Sequence, residues 1–216
     1  MAVRFAFDFI SPYAFLGWRR ARAELPGTPL ELMPVLFAAL LDANGTKGPA
    51  EIPSKRVYTW KHVVRLAAEQ DIRIEPPPAH PFNPLLGLRI IASQLSAAER
   101  IAAMDVLFDA TWGGGGGITD PEHVVRLLDA AGLKGRSLVQ EASQPAVKQR
   151  VKDNTTAALE AGVFGVPSFV VDDEVFWGQD SVPHLAAYLA GDDPATAERV
   201  ERWHNLPSGA TRSAVR

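Results

Sequence analysis

Ser11 and Pro12 stand where one residue pattern gives way to another. Before them, Val3, Phe5, Phe7 and Phe9 alternate with Arg4, Ala6 and Asp8; after them, Ala14, Phe15, Leu16, Trp18 and Ala21 recur at helical spacing. A serine followed by a proline caps a helix, the hydroxyl accepting an N–H of the first turn while Pro occupies a position that needs no N–H. The same place is suited to chemistry. Backbone N–H groups at a helix start lack intrahelical partners and, with the helix dipole, favour a negative charge such as a thiolate. Yet the chain contains no cysteine. A thiol activated here would have to arrive on a small molecule, with Ser11 as its hydrogen-bond donor. A nucleophilic serine needs an adjacent base, and no motif marks any of the five histidines, His62, His80, His123, His184 and His204. Nor do they show metal-ligand spacing, so no metal site is expected.

The elements that must position Ser11 follow from periodicity. Alternation up to Phe9 predicts a first strand with one apolar face, and the helix from Pro12 runs to Pro26-Gly27. Leu30 to Val35 reads as a second strand, and the short connections make a βαβ unit with parallel strands. From about residue 38 to 144 the signals are helical, interrupted between Pro76 and Pro84, where no helix can cross. Ser96 with Glu99, Thr119 with Glu122 and Ser137 with Gln140 have capping-box spacing, and Gly132 is expected to end the middle helix. Gly113 to Gly117 lack the lysine of a phosphate-binding loop and read as a mobile connector. Residues 145 to 161 form a further helix, Ser168 to Val171 and Glu174 to Trp177 a hairpin around Asp172-Asp173, and Ser181 to Leu189 a last short helix. Beyond Gly191 the chain reads as a polar tail.

Composition narrows the classes. A chain of 216 residues with 47% hydrophobic and 22% charged residues can bury a sizeable core, and a net charge of −3 gives no footprint for nucleic acid or an anionic membrane. No run approaches the roughly 18 apolar residues of a membrane span, so a cytoplasmic address is expected. Without cysteine, disulfides and intrinsic thiol–disulfide exchange are excluded.

A second segment joins Ser11. Gly165-Val166-Pro167-Ser168 places a proline directly before a strand, far from Ser11 in sequence. Together with Asp8-Phe9-Ile10-Ser11-Pro12-Tyr13, Pro53-Ser54-Lys55-Arg56-Val57-Tyr58, Ile118-Thr119-Asp120-Pro121 and Phe176-Trp177-Gly178-Gln179-Asp180, it makes the chain, to about residue 190, resemble the kappa-class glutathione transferases and the related bacterial 2-hydroxychromene-2-carboxylate isomerases. In this branch of the thioredoxin superfamily a serine stands where disulfide oxidoreductases of the same fold carry Cys-x-x-Cys, here Ser11-Pro12-Tyr13-Ala14. The resemblance implies an α/β fold: a thioredoxin-like domain from residues 1–37 and 145–191, an inserted all-helical subdomain from 38–144 and a C-terminal tail from 192–216.

It also implies a site with glutathione as cofactor. Ser11 would donate to the glutathione sulfur, and a cis peptide at Val166-Pro167 would present the Val166 backbone to the cysteinyl unit as a short added strand. Asp180 would hold the γ-glutamyl ammonium, with backbone N–H groups and the Ser181 hydroxyl at its carboxylate; many relatives have Asp-Arg where this chain has Asp180-Ser181. Lys55 would pair with the glycyl carboxylate or with an acidic substrate. Tyr13, Asn44 and Asn83 are candidates for the substrate pocket, while the aromatic residues Phe15, Trp18, Trp60, Trp112 and Trp177 divide between pocket wall and core. The implied activity is glutathione-dependent isomerisation of 2-hydroxychromene-2-carboxylate in aromatic degradation. The alternatives are kappa-type transfer to electrophilic aromatics or peroxides, and a glutathione-binding module without catalysis. A homodimer is implied as well.

Overall fold

The protein is described from a computed structural model covering residues 2–207 and Gly209. Four strands, β1 (Val3–Phe7), β2 (Leu30–Pro34), β3 (Ser168–Val171) and β4 (Glu174–Trp177), form one sheet in the order β2-β1-β3-β4. β1 pairs in parallel with β2 and antiparallel with β3, so that Phe5 lies opposite both Leu32 and Phe169. Helix α1 (Pro12–Glu24) makes the crossover between β1 and β2. Helices α2 (Phe37–Ala43), α3 (Pro53–Glu69), α4 (Leu85–Ile91), α5 (Ala97–Trp112), α6 (Pro121–Ala130), α7 (Gly135–Glu141) and α8 (Pro145–Glu160) separate β2 from β3, and α9 (Val182–Ala190) follows β4. This is a thioredoxin-like sheet with a helical insertion, as the sequence implied.

The core follows the strand period. Val3, Phe5 and Phe7 point into one cluster, which runs on through Phe9 to Leu88, Phe108 and Trp112 of the inserted helices. Phe7, Phe9 and Phe108 pack ring against ring, with centroids 4.7 to 5.9 Å apart. Ala6 points the other way, into a smaller cluster with Val35, Leu40, Ala158, Val166 and Val170. The expectation of a single apolar face for β1 is therefore corrected. Both faces are covered, because α8 and α2 close over the side carrying Ala6, and even Asp8 is only 2% exposed. Parallel pairing with helices on both sides demands this.

Gly87 of α4 shows how closely the insertion meets the sheet. A Cβ there would lie 2.9 Å from both Ile118 Cδ1 and Phe9 Cδ2, inside the packed cluster. Gly87→Ala should destabilise by about 1–2 kcal/mol, overpacking exceeding the gain in helix propensity. A urea midpoint equal to or above that of the wild type would show that Phe9 yields without cost.

Local expectations fared unevenly. The Ser96–Glu99 capping box forms, with Ser96 Oγ accepting the Glu99 N–H at 3.3 Å and Glu99 Oε2 accepting the Ser96 N–H at 2.9 Å. The next cap is Asp120, not Thr119, since Pro121 takes the first helical position and Asp120 Oδ1 accepts the Glu122 N–H at 3.0 Å. Ser137 and Gln140 lie inside α7, which begins two residues earlier where Asp129 Oδ1 catches the Gly135 N–H at 2.8 Å. Gly113 to Gly117, expected as a mobile connector, fold back on the end of α5. The Gly117 N–H reaches Ala110 O at 2.7 Å, and a Cβ on Gly115 would stand 2.6 Å from Ala110 Cα, a contact only glycine permits. The expected tail contains a helix, α10 (Ala197–His204), started by Thr196 Oγ1 accepting the Arg199 N–H at 3.4 Å. Residues 208 and 210–216 of that tail lie outside the described residues.

Candidate active site

The first turn of α1 is assembled from both ends of the chain. Ser11 is its N-cap: the hydroxyl accepts the Ala14 N–H at 3.2 Å and donates to Val166 O at 3.4 Å. The residue is 7% exposed. Val166-Pro167 is a cis peptide immediately before β3. Gly17, one turn into α1, lets the helix approach this proline: a Cβ there would lie 3.1 Å from Pro167 Cγ. Ser11, Val166 and Pro167, distant in sequence, thus converge directly.

Two backbone donors belong to the same two segments as the Ser11–Val166 contact. Neither the Tyr13 N–H nor the Val166 N–H has a hydrogen-bond partner among the described residues. An open N–H is usual at a helix start such as Tyr13 but not at Val166, which lies outside any helix, and the two are available to an acceptor. No acidic residue occupies the first turn of α1, which leaves the positive end of its dipole unneutralised at the surface.

Beneath this surface the loop is pinned through its carbonyls and one buried carboxyl. Asp8 Oδ1 accepts the Ile10 N–H at 3.1 Å and Oδ2 the Phe37 N–H at 3.0 Å, tying the β1–α1 junction to the start of α2, while Asp8 O accepts the Ser11 N–H at 3.1 Å. Burial pushes its pKa up to about 7, the two N–H bonds pulling the other way without prevailing. Trp112 Nε1 donates to Phe9 O at 2.8 Å, and His80 Nε2 lies 3.0 Å from Ile10 O. A carbonyl only accepts, so His80 carries its proton on Nε2. Its Nδ1 is buried and without a partner among the described residues, and burial lowers its pKa.

The remaining sequence candidates fall into three groups. Tyr13 is half-buried, with its hydroxyl 3.0 Å from His62 Nδ1. Asp180 is exposed on a single 3₁₀ turn, Gln179–Ser181, that packs on α1. Ser181 is buried there, and its hydroxyl donates to Gly178 O at 2.8 Å. Lys55 is exposed in the first turn of α3. Asn44 and Asn83 are occupied by helix ends: Asn44 Nδ2 donates to Leu40 O at 2.8 Å and Asn83 Oδ1 accepts the Leu85 N–H at 3.0 Å. Of the aromatic candidates, Phe15, Trp18 and Trp112 belong to the core, whereas Trp177 is 56% exposed and packs on Phe164 beside Gly165. A groove of about 470 Å³ along the open edge of β2, between Leu32, Leu95 and Arg150, shares no lining residue with the Ser11 site.

Sequence reasoning missed the roles of Asp8, His80, Trp112 and Gly17. Asp8 carried a signal, a carboxylate three residues before the cap at the end of an apolar alternation. His80 and Trp112 reach the loop from about 70 and 100 residues away, which no local pattern encodes.

Residues 2–190 match the DSBA-like thioredoxin domain family. The 2-hydroxychromene-2-carboxylate isomerase of Pseudomonas putida is 31% identical over 83% of this chain and 90% of its own length. Human glutathione S-transferase kappa 1 is 26% identical over 88% and 91%. A solved 2-hydroxychromene-2-carboxylate isomerase superposes with a TM-score of 0.79 at 25% identity, covering 96% of this chain and 100% of that one. The chain thus belongs to the DSBA-like thioredoxin family, among glutathione-related isomerases and transferases.

Proposed function

We propose that this protein binds glutathione at the start of α1 and catalyses the interconversion of 2-hydroxychromene-2-carboxylate and trans-o-hydroxybenzylidenepyruvate. The observation that carries the reading is the grouping of the Ser11 hydroxyl with the open N–H groups of Tyr13 and Val166, in a chain that has no sulfur nucleophile of its own. That donor set fits a peptide thiol: the Val166 N–H and C=O suit the backbone of a cysteinyl unit added as an extended segment, and the hydroxyl suits its sulfur. When bound, glutathione supplies a thiolate that adds reversibly to the unsaturated substrate and is released unchanged.

The residues of the chain do the rest. Ser11, turning its hydroxyl from Val166 O to the ligand, stabilises negative charge at one point, and the dipole of α1 adds to it. Asp180 receives the ligand's ammonium, and Lys55 receives a carboxylate of the ligand or of the substrate. The insertion, residues 38–144 in our assignment, and the exposed Phe164–Trp177 pair supply apolar surface for the second substrate. A cytoplasmic homodimer completes the reading; among the described residues no helix is long and apolar enough to cross a membrane.

The similarity to kappa-class transferases favours a second reading, conjugation of electrophilic aromatics. Glutathione recovered in full after many turnovers of the chromene acid is the expected result. Its stoichiometric loss onto a chloronitrobenzene, without turnover of the chromene acid, would establish transfer instead. Binding of glutathione with turnover of neither would leave a binding module.

A further inference from the structure

The Gln179–Ser181 turn is held by its carbonyls. Gly178 O accepts the Ser181 hydroxyl at 2.8 Å and the Ser181 N–H at 3.3 Å, which spends both Ser181 donors inside the turn. Gln179 O accepts Arg20 Nη1 at 3.4 Å. The N–H groups at the far ends of the same two peptides, those of Gln179 and Asp180, have no acceptor among the described residues. Among those residues the cis peptides are His80-Pro81 and Val166-Pro167, so both peptides of the turn are trans, with N–H and C=O directed oppositely. A group that grips a carbonyl here aims the N–H away from itself.

Arg20 ties this turn to the helix that carries Ser11. Its side chain is 24% exposed, and Nη1 bonds not only the main-chain oxygen of Gln179 but also, at 3.3 Å, the side-chain Oε1. Gln70 Nε2, from the end of α3, reaches the same Oε1 at 2.9 Å. Gln179 is 3% exposed, and these contacts fix it between α1 and α3. Gly17 lies three residues before Arg20 on the same side of α1: a Cβ there would stand 3.1 Å from Pro167 Cγ and 3.5 Å from Gln179 Cβ. One stripe of α1 thus meets both the cis-proline and the turn.

Asp180 brings the opposite charge. A Cβ on Gly178, whose φ is +95°, would collide with Asp180 Oδ1 and stand 4.0 Å from the Asp180 nitrogen, so the carboxylate and the main-chain nitrogen of Asp180 border one point that glycine leaves empty. An acceptor for an ammonium beside N–H donors for a carboxylate complements an α-amino acid group. The charge on Arg20 strengthens the donor side. A guanidinium at the carbonyl end of a peptide polarises its N–H end, and hydrogen bonds joined in a chain reinforce one another by about 10–30%. Glu24 takes the Arg20 Nε at 2.6 Å and leaves Nη1 to the turn.

We propose that Arg20 is a positioning residue for the γ-glutamyl end of glutathione: it holds the Gln179 carbonyl so that the Asp180 N–H is presented to the ligand's α-carboxylate, while the Asp180 side chain takes the ammonium. This rests on the glutathione reading above. Arg20 itself acts only through the peptide it grips.

Calorimetry with two ligands tests it: glutathione, and γ-aminobutyryl-cysteinylglycine, which lacks only the α-carboxylate. The wild type should bind glutathione about tenfold or more tightly than the analogue, as befits hydrogen bonds to a charged group. Arg20→Met, which keeps the apolar stem and loses the cation, should weaken glutathione by about three- to tenfold and leave the analogue within about twofold. Arg20→Lys should recover part of the lost preference, and Glu24→Gln, which breaks only the ion pair on the helix surface, should keep all of it. A full preference in Arg20→Met, equal weakening of both ligands in that variant, or no preference in the wild type overturns the proposal while leaving glutathione binding intact. Failure of the wild type to bind either ligand overturns both.

Discussion

Ser11→Ala should lower turnover at saturating glutathione by about 10- to 100-fold, since a hydrogen bond to a charged group is worth roughly 1.5–3 kcal/mol. The fold should lose much less. The Ser11 hydroxyl caps α1 through the Ala14 N–H, and removing such a cap costs about 1 kcal/mol. Ser11→Thr, which keeps both the cap and the donor, should recover much of the activity if the methyl group is accommodated beside Val166. The sharper measurement is the thiol itself. Thiolate absorbance of bound glutathione, followed against pH, should show the thiol pKa rising in Ser11→Ala, because the alanine enzyme holds the sulfur with backbone N–H groups alone. Unchanged turnover together with an unchanged thiol titration would remove Ser11 from the mechanism and leave it a helix cap.

The second large effect concerns stability. Asp8 is buried with no cation close to it, and its pKa stands near 7 in the folded protein against about 3.9 in an unfolded chain. Between those values the folded state holds a proton that the unfolded state has released. Stability therefore falls as pH rises: this contribution is complete below about pH 4, is lost progressively through pH 7, and amounts to a span on the order of 4 kcal/mol. Asp8→Asn cannot titrate and should lack this slope. The amide offers one acceptor in place of two, so either the Ile10 or the Phe37 N–H goes unpaired, at a cost of about 1–3 kcal/mol. The wild type should accordingly be the more stable protein at pH 4.5, with its advantage shrinking or reversing by pH 8. Urea midpoints of the two proteins that run parallel across this range would show that the carboxyl does not change its protonation on folding.

Both predictions rest on residues that differ in how openly the sequence displays them. Strand β1 and the start of α1 are legible because alternation and a proline at the first helical position are local signals, and the same holds for the hairpin from Ser168 and for the Pro76–Pro84 interruption. Ser11 and Val166-Pro167 were legible as separate local features. Their meeting at 3.4 Å depends on β1 pairing antiparallel with β3, which no local pattern encodes. Among the paired caps read from spacing, the one that formed as read is Ser96 with Glu99. At Thr119-Asp120-Pro121 two candidates adjoin, and the fixed geometry of the proline selects the second. Ser137 failed as a cap because its helix begins on a contact from Asp129, in another helix. Asp180 and Ser181 look equivalent in sequence and are not: one is exposed, the other has turned its hydroxyl back into its own loop. Such partitions are settled by packing, which single-residue types do not encode.

The carbonyls that lead into Ser11 have a consequence for how this fold changes over evolutionary time. Phe9 O and Ile10 O are held by Trp112 and His80, side chains of the inserted segment and not of the sheet. Replacements among the inserted helices can therefore shift the turn that carries Ser11 at a distance, while Ser11, Tyr13 and Val166 keep their identity. If the turn holds a thiol as proposed, a lineage can in this way exchange one reaction partner for another by drifting in the insertion, with that cradle inherited intact.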